Sequence, residues 1–243
     1  MRSDSVKIFV VALHHCARIR ACVLLLGLIP GVSVQGQTAD KSPKKVSFEI
    51  APVPSWVKPV EPGNDIEVTA NNNGMVYLLA DRQENLQRNA FYYREVRKII
   101  SQKGIEGGAS ISARFNPIFE KLIFNSIKVI RNGTVLDRLD RSRIELVPKE
   151  KEPDRAFYDP SLSAQMVLDD VRVGDVVELA LTVEGANPLN RGKYSKVYLV
   201  QWETLIVRNV LRLVYSAERK LAFRAHNGAR EPTTTTANGT TEM

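Results

Sequence analysis

Cysteine and histidine are scarce. The chain of 243 residues holds two cysteines and three histidines, and the stretch HHCARIRAC, His14 to Cys22, contains both cysteines and two of the histidines. His14 and His15 beside Cys16 have the chemistry of metal ligands. Without this stretch the chain keeps no cysteine and a single histidine, His226. Disulfides, thiol nucleophiles and Cys/His zinc sites are then excluded by counting. A Ser-His-Asp triad would have to be built on His226, which lies in the polar stretch RAHNGAREP and reads as a loop residue. Long apolar runs are also missing. The longest, about Ala21 to Val34, falls short of the ~20 residues that a membrane helix needs. No Lys/Arg run carries interleaved aromatics, so the net charge of +7 points to no nucleic-acid partner.

The front of the chain explains much of that charge. Arg2, Lys7, Arg18 and Arg20 are balanced only by Asp4, and the apolar ACVLLLGLIPGVSV follows. A basic flank, a short apolar run and small residues at Val34 and Gly36 form a secretory signal pattern, with cleavage expected after Gly36. The flank is long and has its own apolar patch, KIFVVAL. The alternative is a retained signal anchor. A lipid anchor on Cys22 is disfavoured by Arg20 in the window that should be small and apolar. Cleavage would remove HHCARIRAC, leave no membrane span, and place the protein in the periplasm or at the cell envelope.

Hydrophobic, charged and aromatic residues make up 44%, 25% and 7% of the chain, enough for a real core. Residues 37–62 form a flexible lead and a proline-rich arm, APVPSWVKPVEPG, extended because proline fixes φ and removes a donor. Trp56 is expected to pin this arm to the domain. Beyond it the hydrophobic period is two. In ASISARF, Ala109, Ile111, Ala113 and Phe115 share one face; in VVELALTV, Val177, Leu179, Leu181 and Val183 share another, against Glu178 and Thr182. GMVYLLAD, AFYYREVRKII, KVYLVQWETLIV and VLRLVYSA have strand composition. Asn132-Gly133 marks a tight hairpin. Gly174-Asp175, Gly63-Asn64 and Gly107-Gly108 break other runs. RQENLQR, 82–88, is expected as one helical turn or a polar loop. With no sustained helical stripe, the pattern predicts an all-β fold: an antiparallel β-sandwich of many short strands over 63–228, with little helix. Residues 229–243, Thr-rich around Asn238-Gly239, are expected to form an incomplete, frayed hairpin whose open edge favours self-association.

The order of motifs carries a resemblance. VYLLADRQENL is followed by FYYREVRKIISQKGIEGGASISARFNPIFEKLIFNSIKVIRNGTVLDRL, then LDDVRVGDVVELALTVEGANP, YSKVYLVQWETLIVRNVLRLVYS and KLAFRAHN. Over roughly residues 50–230, with Asp170 to Glu178, Asn187-Pro188 and FNPIFEKL most specific, this resembles the bacterial exported domain of unknown function that precedes transglutaminase-like domains. The resemblance implies an accessory sandwich beside a papain-like Cys-His-Asp catalytic domain, which this stretch of sequence does not include.

Other residues have a functional and a plainer reading. Asp169, Asp170 and Asp175 form an acidic cluster with calcium-like chemistry, yet Asp175 after Gly174 is simply a turn residue. Tyr92, Tyr93 and Arg94 would suit a sugar-binding face, or split between core and sheet cover. Asn132-Gly133-Thr134 and Asn238-Gly239-Thr240 match the glycosylation sequon but are better explained as turns. No catalytic, cofactor-binding or metal residue is assigned. The chain is expected to be a non-catalytic partner of a transglutaminase-like domain or, as the alternative, a stand-alone envelope module binding glycan or peptide.

Overall fold

Period-two alternation is what a pleated strand needs to bury one face, and the computed structural model, which describes residues 7–12, 47–64, 73–148 and 159–243, is built from strands. In chain order these are β1 (Lys7–Ala12), β2 (Glu49–Ile50), β3 (Met75–Asn85), β4 (Ala90–Ile99), β5 (Ser110–Phe115), β6 (Glu120–Arg131), β7 (Thr134–Asp137) and β8 (Glu145–Pro148). Then come β9 (Leu162–Val167), β10 (Val176–Gly185), β11 (Ser195–Leu199), β12 (Asn209–Ser216), β13 (Leu221–Ala225), β14 (Thr235–Ala237) and β15 (Thr240–Glu242). One helix, α1 (Gly104–Ala109), and two 3-10 turns, Arg141–Arg143 and Pro188–Asn190, complete the described elements.

The main sheet runs β14-β15-β12-β3-β4-β10-β6-β2, with β7 hydrogen-bonded to β6. A second sheet, β5-β9-β8, packs over the β4/β10/β6 half. Between them lies the principal core, including Ile111, Phe115, Leu122, Phe124, Ile127, Leu179 and Leu181. The all-β sandwich with little helix is therefore what forms. Ile111, Ala113 and Phe115 are buried while Ser110, Ser112 and Arg114 are exposed, as alternation requires. Two joins are parallel, β12 with β3 and β2 with β6, so the main sheet is mixed. Two Asn-Gly turns close hairpins with both residues at positive φ: Asn132 at 50° and Gly133 at 79°, Asn238 at 50° and Gly239 at 71°. This geometry matches strand twist. The hairpin β14-β15 is joined to the main sheet through β12.

The proline-rich arm covers the other face of the main sheet, and two β-bulges receive it. In β3 the extra residue is Leu78, whose carbonyl accepts from the Gly63 N–H at 2.9 Å. In β6 it is Asn125, whose Nδ2 donates to the Ala51 and Pro52 carbonyls at 3.0 and 3.2 Å. Bulges re-aim side chains in this way. Trp56 is half-buried, and its carbonyl accepts from Arg212 at 3.0 Å. Because of this cover, Glu178 and Thr182 are buried rather than solvated.

Two expectations are corrected and one is refined. RQENLQR is neither a helical turn nor wholly a loop: Arg82 to Asn85 are the buried end of β3, and only the residues after them turn. Apart from Arg82 Nε, their buried side-chain polar atoms have partners, from the arm side for Gln83 and the cleft side for Arg82 and Glu84, which lets a polar run sit inside. Gly107-Gly108 does interrupt the strand run, between β4 and β5, but from within a helix, α1, where Gly108 packs so closely on Ile99 that a Cβ would come within 2.0 Å of it. KVYLVQWETLIV is not one strand: β11 ends at Leu199, and only Ile206 makes a further bridge, to Tyr77. In the predicted export segment, Lys7–Ala12 forms the middle strand of a third sheet, β11-β1-β13. His14, His15, Cys16 and Cys22 lie outside the described residues.

Candidate functional site

The sandwich opens at one end into a cleft of about 480 Å³. Its floor is the β3-β4 hairpin and the end of β10, with Glu84, Phe91, Tyr93, Leu181 and Val183. Ser112 and Arg114 of β5 form one wall, and residues 185–196 form the other. Tyr194, Lys196 and Tyr198 alternate along the β11 edge, so period two puts all three on one face. They converge on Glu84, which is buried. Tyr194 Oη donates to Glu84 Oε2 at 2.7 Å, and Tyr198 Oη and Lys196 Nζ both reach Oε1. Lys196 also lies 4.1 Å from the Phe91 ring centroid, a cation–π arrangement. Burial, then the Glu84 carboxylate, push the Tyr194 and Tyr198 phenols far above the ordinary range. They therefore stay protonated and act as fixed donors. This is a rigid, charge-balanced floor. Ser112 Oγ is engaged with Ser163 Oγ at 3.0 Å.

Two turns frame the mouth, and they are built alike. In Asn116-Pro117-Ile118, Asn116 Oδ1 accepts from the Ile118 N–H at 3.1 Å and its carbonyl accepts from the Phe119 N–H at 3.2 Å. In Asn187-Pro188-Leu189, Asn187 Oδ1 accepts from the Leu189 N–H at 3.0 Å and its carbonyl from the Asn190 N–H at 3.0 Å. Asparagine opens such a turn through its side chain, and proline presets the next φ. Each turn holds an aliphatic side chain in solvent, Ile118 at 71% and Leu189 at 83% exposure. They stand at the same sheet end because Glu120 and Gly185 are register partners in β6 and β10. Gly185, at φ +124°, is what lets the two turns approach: a Cβ there would lie 2.0 Å from the Phe119 carbonyl oxygen. Arg114, Arg191 and Lys193 stand exposed beside them. The end is thus a pair of rigid aliphatic knobs in a cationic setting.

The other candidates resolve plainly. Asp169, Asp170 and Asp175 are spent on arginines. Arg131 Nε and Nη2 grip Asp175 at 2.8 Å each, Arg131 Nη1 and Arg172 Nε reach Asp170 at 3.0 and 2.7 Å, and Arg143 reaches Asp169 at 2.6 Å. Hydrogen bonds from Arg172 and Arg131 hold the Asp170 carboxyl down at about 2. Among the described residues no group of three or more His, Cys, Asp or Glu is placed to hold a metal ion. Tyr92, Tyr93 and Arg94 do not share a face. Tyr92 is buried under the arm and, chiefly by that burial, pushed up to about 12. Tyr93 turns to the cleft side and donates to Glu95 at 2.6 Å. Arg94 returns to the arm side, bonding Glu178 and the Val60 carbonyl at 2.6 and 2.8 Å. His226 follows β13, where its carbonyl accepts from Ala229 in a turn. No helix among the described residues is long and apolar enough to cross a membrane.

Sequence reasoning did not find Glu84, Tyr194, Lys196 or Tyr198. The i, i+2, i+4 spacing of Tyr-x-Lys-x-Tyr was the available signal. FNPIFEKL and Asn187-Pro188 stand out as motifs, but their shared turn geometry shows only in the fold.

Comparison with known proteins gives a fold and a family. A crystal structure from Parabacteroides distasonis, described as a "putative protease", superposes with a TM-score of 0.58 at 13% identity. The match covers 70% of this chain but 34% of that one, so the chain spans about a third of the length of the structure it resembles. At that identity the likeness is one of fold. No curated protein matches the chain in sequence. The family model described as "Domain of Unknown Function with solved-structure structure (DUF3857)" matches residues 87–243, from the β3-β4 turn through both Asn-Pro turns to the final hairpin, and the chain belongs to that family.

Proposed function

We propose that the chain is a non-catalytic accessory domain, exported to the periplasm or cell envelope, that packs through its Asn-Pro end against a transglutaminase-like catalytic domain and positions it. The observation that carries this is the pair of exposed aliphatics, Ile118 and Leu189, on identically built turns beside Arg114, Arg191 and Lys193. Fully burying such side chains is worth roughly 1.5–3 kcal/mol each. Membership of a family of unknown function, and a fold shared with about a third of a larger protein described as a protease, support a domain that accompanies a catalyst. The sequence resemblance supplies the catalyst's class.

The reading frame tests this first. Cys, His and Asp motifs of a papain-like domain, in frame beyond residue 243 or in the adjacent gene, are the expected result. A stop with no such neighbour contradicts it and favours a stand-alone envelope module. The cleft's aromatic rings, Phe91 and Tyr93, beside the Glu84–Lys196 ion pair, offer that second reading a place for a glycan or peptide.

A further inference from the structure

The third sheet has an unusual composition. Its middle strand, β1, comes from the segment read as a removable export signal, while its outer strands come from the body of the domain. β1 pairs antiparallel with β11 from Lys7↔Leu199 to Val11↔Ser195, and antiparallel with β13 from Ile8↔Ala225 to Ala12↔Leu221. Among the described residues, neither β11 nor β13 pairs with any other strand. The two therefore stand one strand apart, roughly twice the ~4.8 Å ladder spacing.

β11 is held from below along its length, and β13 at its first residue, by contacts that do not involve β1. Arg82 Nη1 donates to the Leu199 carbonyl at 2.9 Å, Tyr198 and Lys196 bond Glu84, and Leu221 packs into the cluster of Leu86, Tyr198, Leu213 and Tyr215. Loss of residues 1–36 would leave the walls in place with two facing rows of unpaired N–H and C=O groups. Such edges recruit a strand.

We propose that the gap between β11 and β13 is a strand-acceptor slot. Lys7–Ala12 holds it before the export signal is removed. In the mature protein it takes an extended, aliphatic-rich segment of the accompanying catalytic domain, antiparallel to both walls. The occupant's source rests on the accessory-domain reading above. Its chemistry rests on the strand seated there: six residues, KIFVVA, five of them apolar and three β-branched. Exposed Val197 and Leu199 on β11 extend an aliphatic surface beside the slot.

The test uses protein purified from the periplasm, with its N-terminus sequenced. Hydrogen exchange is followed at residues 195–199 and 221–225, alone and with a synthetic peptide of residues 6–13, VKIFVVAL. We expect mature protein to begin near Gln37, with fast exchange at both walls that slows at least tenfold on adding the peptide. The same peptide carrying Val10→Pro, which lacks the central N–H, should have no effect. Three results would overturn the proposal: Met1 retained with both walls protected, walls protected without peptide, or no slowing when peptide is added. The measurement contains no catalytic domain. Failure here leaves the accessory reading standing, and failure of that reading leaves peptide binding to be observed.

Discussion

Gln83 shows how single residues fasten the layers. It has no exposed surface, and its amide clamps the arm at one point: Oε1 accepts from the Lys58 N–H at 3.0 Å while Nε2 donates to the Lys58 carbonyl at 2.7 Å. Gln83→Leu keeps the volume and strands both main-chain groups, at a cost of about 1–3 kcal/mol. Urea unfolding should show that loss, with faster exchange at the Lys58 amide. An unchanged midpoint would mean the arm is held elsewhere. Arg131 works on the opposite edge. Its hydrogen bonds, with those of Arg172, hold Asp170 at about 2, and its bonds to Asp175 lower that carboxyl too. A carboxylate with a lowered folded pKa contributes stability that is complete above its unfolded value of about 3.9 and disappears as pH falls through the folded value. The melting temperature should therefore drop between about pH 4 and pH 2. Arg131→Gln should flatten that drop, as followed by circular dichroism. A drop of equal depth in the variant would count against this pair as its source.

Elements were legible in the sequence where local chemistry decides them. Asn132-Gly133 and Asn238-Gly239 make the hairpins that such pairs favour, and ASISARF alternates as a half-buried strand should. DRQEN at the end of β3 was hidden, because its polar side chains are satisfied by residues remote in sequence: Gln83 by Lys58, Arg82 by Asn209, Glu84 by Tyr194. The cleft was illegible for the same reason. The final hairpin supplies an element-scale prediction. β15 pairs on both sides, with β14 and β12, whereas β14 pairs on one. Amides of Thr240–Glu242 should exchange more slowly than those of Thr235–Ala237. Gly239→Val, forced to φ +71°, should cost about 1–3 kcal/mol and erase the difference. The unpaired edge of β14 should also show as concentration-dependent sedimentation. Uniformly fast exchange across 230–243 in a strict monomer would defeat both expectations.

For the molecule as a whole, the two faces of the main sheet have separate duties. One is covered by the proline-rich arm and the other by the second and third sheets together, and among the described residues the most exposed aliphatics, Ile118 and Leu189, stand at the Asn-Pro end. The proposed role requires this end to meet a catalytic domain. If each knob carries 1.4 kcal/mol or more, replacing either by glutamate should weaken domain association at least tenfold. The most direct measurement is hydrogen-exchange footprinting of this chain alone and in the presence of the proposed catalytic domain. New protection is expected at residues 116–119 and 186–193, abolished by Leu189→Glu with the core amides unchanged. Protection confined to the arm face, or none at the Asn-Pro turns, would contradict it.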